Sequence, residues 1–518
     1  MAAGPAEGES RETHAKAVAF LAGGAAFGGV RPEHLETHAA HVFLTADRAW
    51  KMKRAVRFPY LDFSTPERRR AALDAELALN RRTAPALYRA VHPIVRMADG
   101  GLELGGEGEP VDWVLEMVRF PDDALLEKQA AGGWIDTATL LRLTDRIQEL
   151  HARAEPSRIE GAAAIRQILD GNAESFAAVS ELLDPAEVAA LDAAQRTELN
   201  RHADRLDARA RGGRVRRGHG DLHLRNIALI DGEPVLFDCL EFDEQLATTD
   251  ILYDVAFLLM DLWHRGMAAE ANIVANRYLD VAPQGASGYA LLPLFVSVRA
   301  AIRAHVRAAE SLRNGDSSAA EDAQGYLAFA RAALLAVPPR LVAIGGLSGT
   351  GKTTIARAVG ARIGRVPGAR VLRSDVFRKR LAGVAPETRL PPSSYTSAAA
   401  AETYEALFES AEDHLGCGTG VILDAVFHRR HEREVAEILA DRSRLPFTGI
   451  WLEAPEHERV ARVSGRTGDA SDAGPEIARE QSRRSTGDLS GWHRIRVNRP
   501  IDRVIAAVRA ILDRPTRA

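Results

Sequence analysis

Apolar and polar positions alternate along the chain in two styles, and the change falls near residue 338. Early on, the apolar run Val42 to Leu44, the turn-like Ala46-Asp47-Arg48 and the segment Ala49 to Val56 predict a hairpin. Pro66 through Arg82 carries Leu73, Leu77 and Leu79 among arginines and glutamates, the pattern of a helix with one face on a sheet. Val111 to Val118 predicts another strand, and Trp134 to about Arg211 a long helical region rich in Ala and Leu. The runs Ile227 to Ile230 and Val235 to Phe237 flank Asp231-Gly232, a strong signal for a tight hairpin. Helical patterning resumes from Ile251 to about Ala336, until Val337-Pro338-Pro339-Arg340 ends it with a stiff joint. Leu341 to Ile344 then opens a strand and helix alternation that continues to the C-terminus, as in a parallel α/β sheet. The chain therefore divides into a tail and first helix over 1–30, one domain over 31–337 and a second over 338–518, with no internal repeat.

Composition narrows the class. At 518 residues the chain exceeds what a single core supports, and 46% hydrophobic with 27% charged residues excludes a wholly disordered or collagen-like chain. A net charge of -4 advertises neither a nucleic-acid nor a membrane partner. Cys239 and Cys417 lie far apart, which argues for a reducing compartment and against a disulfide framework. Glu7, Glu9, Arg11 and Glu12 make a poor secretory signal, and no uninterrupted apolar run approaches the roughly 18 residues of a bilayer span. A soluble cytoplasmic protein is expected, with its oligomeric state open. Of 67 basic residues only six are lysine: Lys16, Lys51, Lys53, Lys128, Lys352 and Lys379. Because ammonium and guanidinium are not interchangeable at a phosphate, each lysine is a hint that its position wants an ammonium, with drift the plainer explanation for Lys16 and Lys128.

The most specific motif is Gly346-Leu347-Ser348-Gly349-Thr350-Gly351-Lys352-Thr353, which fits G-x-x-x-x-G-K-[ST] after a strand and before the helical Thr354-Ile355-Ala356-Arg357. Its glycines let backbone amides converge on phosphate oxygens, Lys352 neutralises the terminal phosphates, and Thr353 can hold Mg2+. Val371 to Asp375 and Val421 to Asp424 read as further strands ending in carboxylates, and parallel strands meet at the ligand crevice by their C-terminal ends. Asp375 would orient or deprotonate an acceptor hydroxyl, Arg378 would hold an anionic part of that substrate, and Asp424 would support Mg2+ through water; helix capping is the competing role for either aspartate. Arg459, Arg462 and Arg466 share one side of a continuing helix, and the Gly- and Asp-rich Ser464 to Asp472 beyond them suits a lid closing on ATP phosphates, against a plain solvated face. This third of the chain resembles the P-loop kinases that include gluconate kinase, chloramphenicol phosphotransferase and the 5'-kinase domain of polynucleotide kinase. The resemblance implies phosphorylation of a hydroxyl.

A second constellation precedes it. His219-Gly220-Asp221-Leu222-His223-Leu224-Arg225-Asn226 matches H-x-D-x-x-x-x-N, and the hairpin after it ends in Asp238. In that arrangement Asp221 takes the acceptor's proton while Asn226 and Asp238 hold Mg2+. Lys51 and Lys53 share a strand face, so either could reach the phosphates, with Lys51 favoured; Glu76 is the expected helix partner, with Glu67 and Asp74 as competitors. Glu116 to Arg119 is the expected adenine-reading hinge. Residues 30 to about 330 resemble the aminoglycoside phosphotransferase family, on His219, Asp221, Asn226, Asp238 and the Asp254 of Tyr253-Asp254-Val255-Ala256, which the resemblance casts as a brace for the catalytic loop. Thr37-His38-Ala39-Ala40-His41 stands where a glycine-rich loop is absent. The order of the halves resembles bacterial fused proteins pairing such a domain with a P-loop kinase domain.

The expected fold class is thus a protein-kinase-like, aminoglycoside-phosphotransferase fold followed by a P-loop parallel α/β fold. The basic run Arg209, Arg211, Arg214, Arg216 and Arg217 reads first as a solvated strand approach and second as an anion site, Cys239 as a buried filler, and the sixteen histidines show no zinc spacing with cysteine. Two functions compete: a bifunctional kinase using ATP and Mg2+ on small-molecule hydroxyl acceptors at both sites, or a single kinase controlled by a nucleotide-binding switch. A nucleic-acid-end kinase would want a more basic cleft.

Overall fold

In a computed structural model, the structure describes residues 5–514 apart from 38, 59, 60, 134, 242, 466–469 and 484. The chain forms two compact units, Met1–Ser157 with Val215–Asp254 and Arg158–Arg214 with Val255–Ala518.

The first unit is built on an antiparallel sheet of six strands. In spatial order they are Glu33–Glu36, Ala40–Leu44, Arg48–Lys53, Glu109–Val118, Tyr88–Arg96 and Leu102–Leu104. The predicted first hairpin is present, with Val42 opposite Lys51. Helix Pro66–Asn80 starts where expected because Pro66 presets the first turn and the Thr65 side chain accepts from the Arg68 amide. It lays Leu73 against Tyr88 and Leu115 on one sheet face. The first helix, Pro5–Ala22, buries Ala17 and Leu21 with Phe43, Met52 and Ile94 on the other. Strands Ile227–Ile230 and Glu233–Leu236 form the second predicted hairpin, its turn residues Asp231 and Gly232 both at positive φ, 51° and 79°.

The second unit joins helices to a five-stranded parallel sheet. Its strands run in the order Arg370–Arg373, Val421–Asp424, Leu341–Gly345, Phe447–Glu453, His493–Arg496. The first strand in sequence is central, so the chain leaves it to opposite sides and opens a crevice at its C-terminal end. Apolar clusters cover both faces, Leu341, Leu423 and Trp451 on one and Val342, Ile355 and Ile450 on the other.

The prolines at 338 and 339 do interrupt the helices, yet the helices before them share this compact unit with the parallel sheet. Helix Ala268–Val281 docks on the segment leading into strand Arg370–Arg373: Asn272 Nδ2 donates to the carbonyls of Pro367 and Ala369, both at 2.9 Å. Arg370, itself buried, donates to Asn276 Oδ1 at 2.8 Å and to Asp280 Oδ1 at 2.6 Å. Among the described residues one helical stretch, Gly285–Asn314, is long and apolar enough to cross a membrane, and 78% of its most apolar window is buried inside the unit.

Candidate active sites

The P-loop leaves strand Leu341–Gly345 and enters helix Lys352–Gly360. Gly349 and Gly351 sit at φ 87° and 83°, and a Cβ on Gly349 would come within 2.5 Å of the Arg459 carbonyl, so this close approach requires glycine. Thr350 Oγ1 donates to the Leu347 carbonyl at 2.9 Å and stiffens the loop. Lys352 Nζ reaches the same carbonyl at 3.4 Å. Thr353 Oγ1 donates to Asp424 Oδ2 at 2.6 Å, which ties the residue after the lysine to the buried carboxylate ending strand Val421–Asp424. Thr354 is exposed on the outer side of the helix. Ser348 is buried, and its amide donates to Gln481 Oε1 at 2.8 Å, a partner 133 residues away.

Strand Arg370–Arg373 runs beside Asp424, with Arg373 opposite it, so Asp375 in the first turn of helix Ser374–Leu381 emerges at the same edge. One turn on, the Arg378 guanidinium lies 5.0 Å from the centre of the Tyr395 ring, with Nε and Nη1 buried and without a hydrogen-bond partner. Burial and the neighbouring Asp472 push the Tyr395 phenol well above its ordinary value. Asp472 also accepts from Lys379 and from the Leu390 amide, so it fastens this wall of the crevice together.

The arginine helix departs from expectation. It ends at Ser464 rather than continuing, and Arg466 lies outside the described residues. Arg459 is buried and donates to the carbonyls of Ser348 and Ala478 and to Ser482, so it clamps the P-loop to the following helix Pro475–Ser482. Arg462 points elsewhere, to Glu458 Oε2 at 3.0 Å and the Val497 carbonyl at 3.1 Å. The two described arginines therefore share no phosphate-facing side.

In the first unit the strand lysines do not compete; both reach Glu76. Lys51 Nζ donates to Glu76 Oε1 at 2.8 Å and to Asp238 Oδ1 at 2.6 Å, while Lys53 Nζ donates to Glu76 Oε2 at 2.6 Å and to Glu241 Oε1 at 2.5 Å. Burial works against charge on Glu76, but Lys51 and Lys53 outweigh it and hold the carboxyl well below its ordinary range. Burial likewise opposes charge on Lys51, and Asp238 and Glu76 outweigh that to keep it protonated. Glu241 is raised, with burial the largest cause. Neither Glu67 nor Asp74 enters this network: Glu67 lies in the first turn of the helix and Asp74 pairs with Arg70.

Asp238 adopts φ 61°, a left-handed conformation that its surroundings enforce. Its amide donates to the Tyr88 hydroxyl at 3.1 Å, the next amide, of Cys239, to Asn80 Oδ1 at 2.9 Å, and that of Leu240 to the His219 carbonyl at 2.9 Å. Asp254 accepts from the amides of His219 and Gly220 at 2.8 and 2.9 Å and meets His151 at 3.0 Å, which braces the catalytic-loop backbone as the family resemblance implied. Asn226 Nδ2 donates to Asp221 Oδ2 at 2.8 Å, which leaves its carbonyl end as the acceptor side.

One expectation changes. Glu116 to Val118 continue strand Glu109–Val118, and the Val118 and Arg119 amides donate to Leu87 and Asp47, so that stretch is sheet-bound backbone rather than an open hinge. In place of a glycine loop, Thr37 closes a short turn with Ala40, while His38 lies outside the described residues. Tyr88, Asn80 and Glu241 carry no motif of their own and were not foreseen.

The donor sets suit Mg2+. Asp238, Asn226 and Asp221 on one side, and Thr353 with Asp424 on the other, offer oxygen ligands alone. Among the described residues no group of three or more His, Cys, Asp or Glu is placed to hold a metal ion by itself.

Two such constellations on two folds mark a chain with kinase-like domains of both kinds, a protein-kinase-like one first and a P-loop one second. A family model described as AAA domain (AAA_33) matches residues 341–487. Proteins described as uncharacterized from Mycobacterium tuberculosis and Mycobacterium bovis are each 30% identical over 485 residues, spanning 91% of this chain and 93% of theirs. The chain belongs to the family of these mycobacterial proteins. Solved structures similar to the C-terminal third include the APS kinase of Mycobacterium tuberculosis in complex with AMPPNP and APS, at 21% identity and TM-score 0.26 over 34% of this chain and 100% of that one. Similar to the earlier part are a choline/ethanolamine kinase family protein from Mesorhizobium loti, at 14% identity and TM-score 0.39 over 62% and 95%, and an aminoglycoside 2'-phosphotransferase bound to GDP, at 16% and 0.37 over 61% and 97%.

Proposed function

We propose that the chain is a bifunctional cytoplasmic phosphotransferase that moves the terminal phosphoryl group of ATP to a hydroxyl of a small molecule at each of two sites. One observation carries this reading: each region sets a lysine close to carboxylate or hydroxyl oxygens, Lys51 with Glu76 and Asp238 in one, Lys352 and Thr353 with Asp424 in the other, an arrangement that suits phosphate and a metal ion. At the first site Asp221 accepts the acceptor's proton as its oxygen bonds to the terminal phosphorus, and the bond to the bridging oxygen breaks to release ADP. Asp375 takes the same part at the second, where Arg378 orients an anionic group of the acceptor. Asp238 and Asn226, and separately Thr353 and Asp424, would hold Mg2+, which when bound neutralises phosphate charge. Both described cysteines are free thiols, in keeping with a reducing compartment.

The test follows ADP release across a panel of metabolites and antibiotics for the wild type, Asp221→Asn and Lys352→Ala. Each substitution should silence a different acceptor. ADP formation that survives both would overturn the proposal.

A second reading has the P-loop region as a nucleotide switch controlling one kinase activity. It is favoured by the bonds that Arg459 and Gln481 make to Ser348, because they link the loop to the helices beyond it. It requires that nucleotide at the P-loop alter turnover at the first site while no acceptor is phosphorylated at the second.

A further inference from the structure

The second unit contains a cavity of about 500 Å³ that neither kinase site uses. It lies between helix Pro185–Arg211, the segment around Tyr289 and Pro293, the joint at Val337 to Pro339, and the loops that lead into strands Arg370–Arg373 and Val421–Asp424. Those loops enter the N-terminal ends of their strands, whereas Asp424 and the P-loop sit at the C-terminal ends. Each strand spans four residues, so the two openings are separated by roughly the 13 Å length of a strand.

Its lining is electrically lopsided. Arg201, His202, Arg205 and Arg365 border it, and no carboxylate does. The nearby Glu198 is shared three ways, by Arg201 at 2.7 Å, His202 at 3.5 Å and Arg365 at 3.7 Å. The partner of Arg205 is the His202 ring at 3.4 Å. Arg365 donates to the Leu334 carbonyl at 3.3 Å while its Nε is buried without a partner. Burial works against charge on Arg365, with Arg201 adding to that and Glu198 resisting it. Arg205 and Arg365 are partly buried and Arg201 is exposed, with Glu198 as the carboxylate that Arg201 and Arg365 share; such a group of guanidiniums is stabilised by an incoming anion, and their planar forks match phosphate oxygens. The remaining wall, with Tyr289, Pro293, Val337 and Val366, is largely apolar, and the volume lies in the range of small-molecule sites.

We propose that this cavity binds a small phosphate-bearing anion of up to mononucleotide size, as an effector site separate from both kinase sites. Its phosphate lies against Arg201, Arg205 and Arg365, and its less polar part against Tyr289 and Pro293. Because the joint at 337–339 lines the cavity, an occupant touches the helices and the parallel sheet at once.

The probe is inorganic pyrophosphate, titrated calorimetrically into full-length protein carrying Lys352→Ala, with EDTA present. These conditions suppress phosphate binding at the P-loop and metal-assisted binding at the first site. One saturable equivalent is expected, and adding Arg201→Ala with Arg205→Ala should weaken it by about tenfold or more, because both remove charged hydrogen-bond donors to the phosphate. Arg201→Lys with Arg205→Lys, which keeps the charge and loses the planar fork, should recover only part of the affinity. If circular dichroism shows the alanine pair unfolded, Arg205→Gln supplies the same comparison. Absence of saturable binding, or equal affinity with and without the arginines, overturns the proposal. Binding is read directly, so the result is independent of phosphotransfer at either site.

Discussion

The two candidate sites assemble their groups by opposite means. The P-loop gathers its groups from eight consecutive residues, Gly346 to Thr353, and relies on backbone amides shaped by glycine. The first-unit site gathers side-chain charges from remote positions; Lys51 and Asp238, in direct contact, are 187 residues apart. A backbone cradle can lose its lysine and keep its shape. A buried network of charges cannot lose one member without leaving another uncompensated.

That contrast can be broken experimentally. The largest expected effect is catalytic: Lys352→Ala should lower phosphotransfer at the P-loop by on the order of 10³-fold with little change in unfolding midpoint, as measured by single-site turnover and thermal melts. The next is structural. Lys53 is 3% exposed at its side chain and Glu76 is fully buried, so Lys53→Met should cost about 3–5 kcal/mol in denaturant unfolding. Lys51→Met should instead fall hardest on turnover, because Lys51 reaches Asp238. Equal effects of the two substitutions on both measurements would erase the division of labour between them.

A pH profile sharpens the same point. Glu76 is depressed below its ordinary 4.5, since its two lysines outweigh burial, so its contribution to stability is complete above that value and is lost as pH falls through the lower folded-state value. Wild-type protein should lose stability progressively below about pH 4.5, and Glu76→Gln should give a flatter profile there. Parallel profiles would remove Glu76 from the account. The smallest effect concerns Gln481, whose side chain occupies the Ser348 amide: Gln481→Ala should tighten nucleotide binding at the P-loop by no more than about tenfold, the value of one ordinary hydrogen bond.

How far the sequence could be read follows from the same contrast. The P-loop, the Asp231-Gly232 hairpin and helix Pro66–Asn80 were legible because their signals are local, in glycine placement, turn chemistry and capping. Alternation placed Lys51 and Lys53 on one face but not the reason for both, which is that Glu76 offers two oxygens and Glu241 supplies a second partner. Tyr88 and Asn80 were invisible, since they act on the backbone of Asp238 and Cys239 from at least 150 residues away. Arg459, Arg462 and Arg466 were grouped by spacing that assumed a continuing helix. The helix stops at Ser464, and burial turns Arg459 inward to the P-loop carbonyl.

The seam between helix Ala268–Val281 and strand Arg370–Arg373 bears on how such a gene can be taken apart. Truncation at the prolines would strip the interior guanidinium of Arg370 of its salt-bridge acid, Asp280, and bare the carbonyls of Pro367 and Ala369 that Asn272 now satisfies. An excised C-terminal fragment would turn out to water a surface shaped for the helices it has lost, so fusion here behaves as a ratchet: easy to enter, costly to reverse.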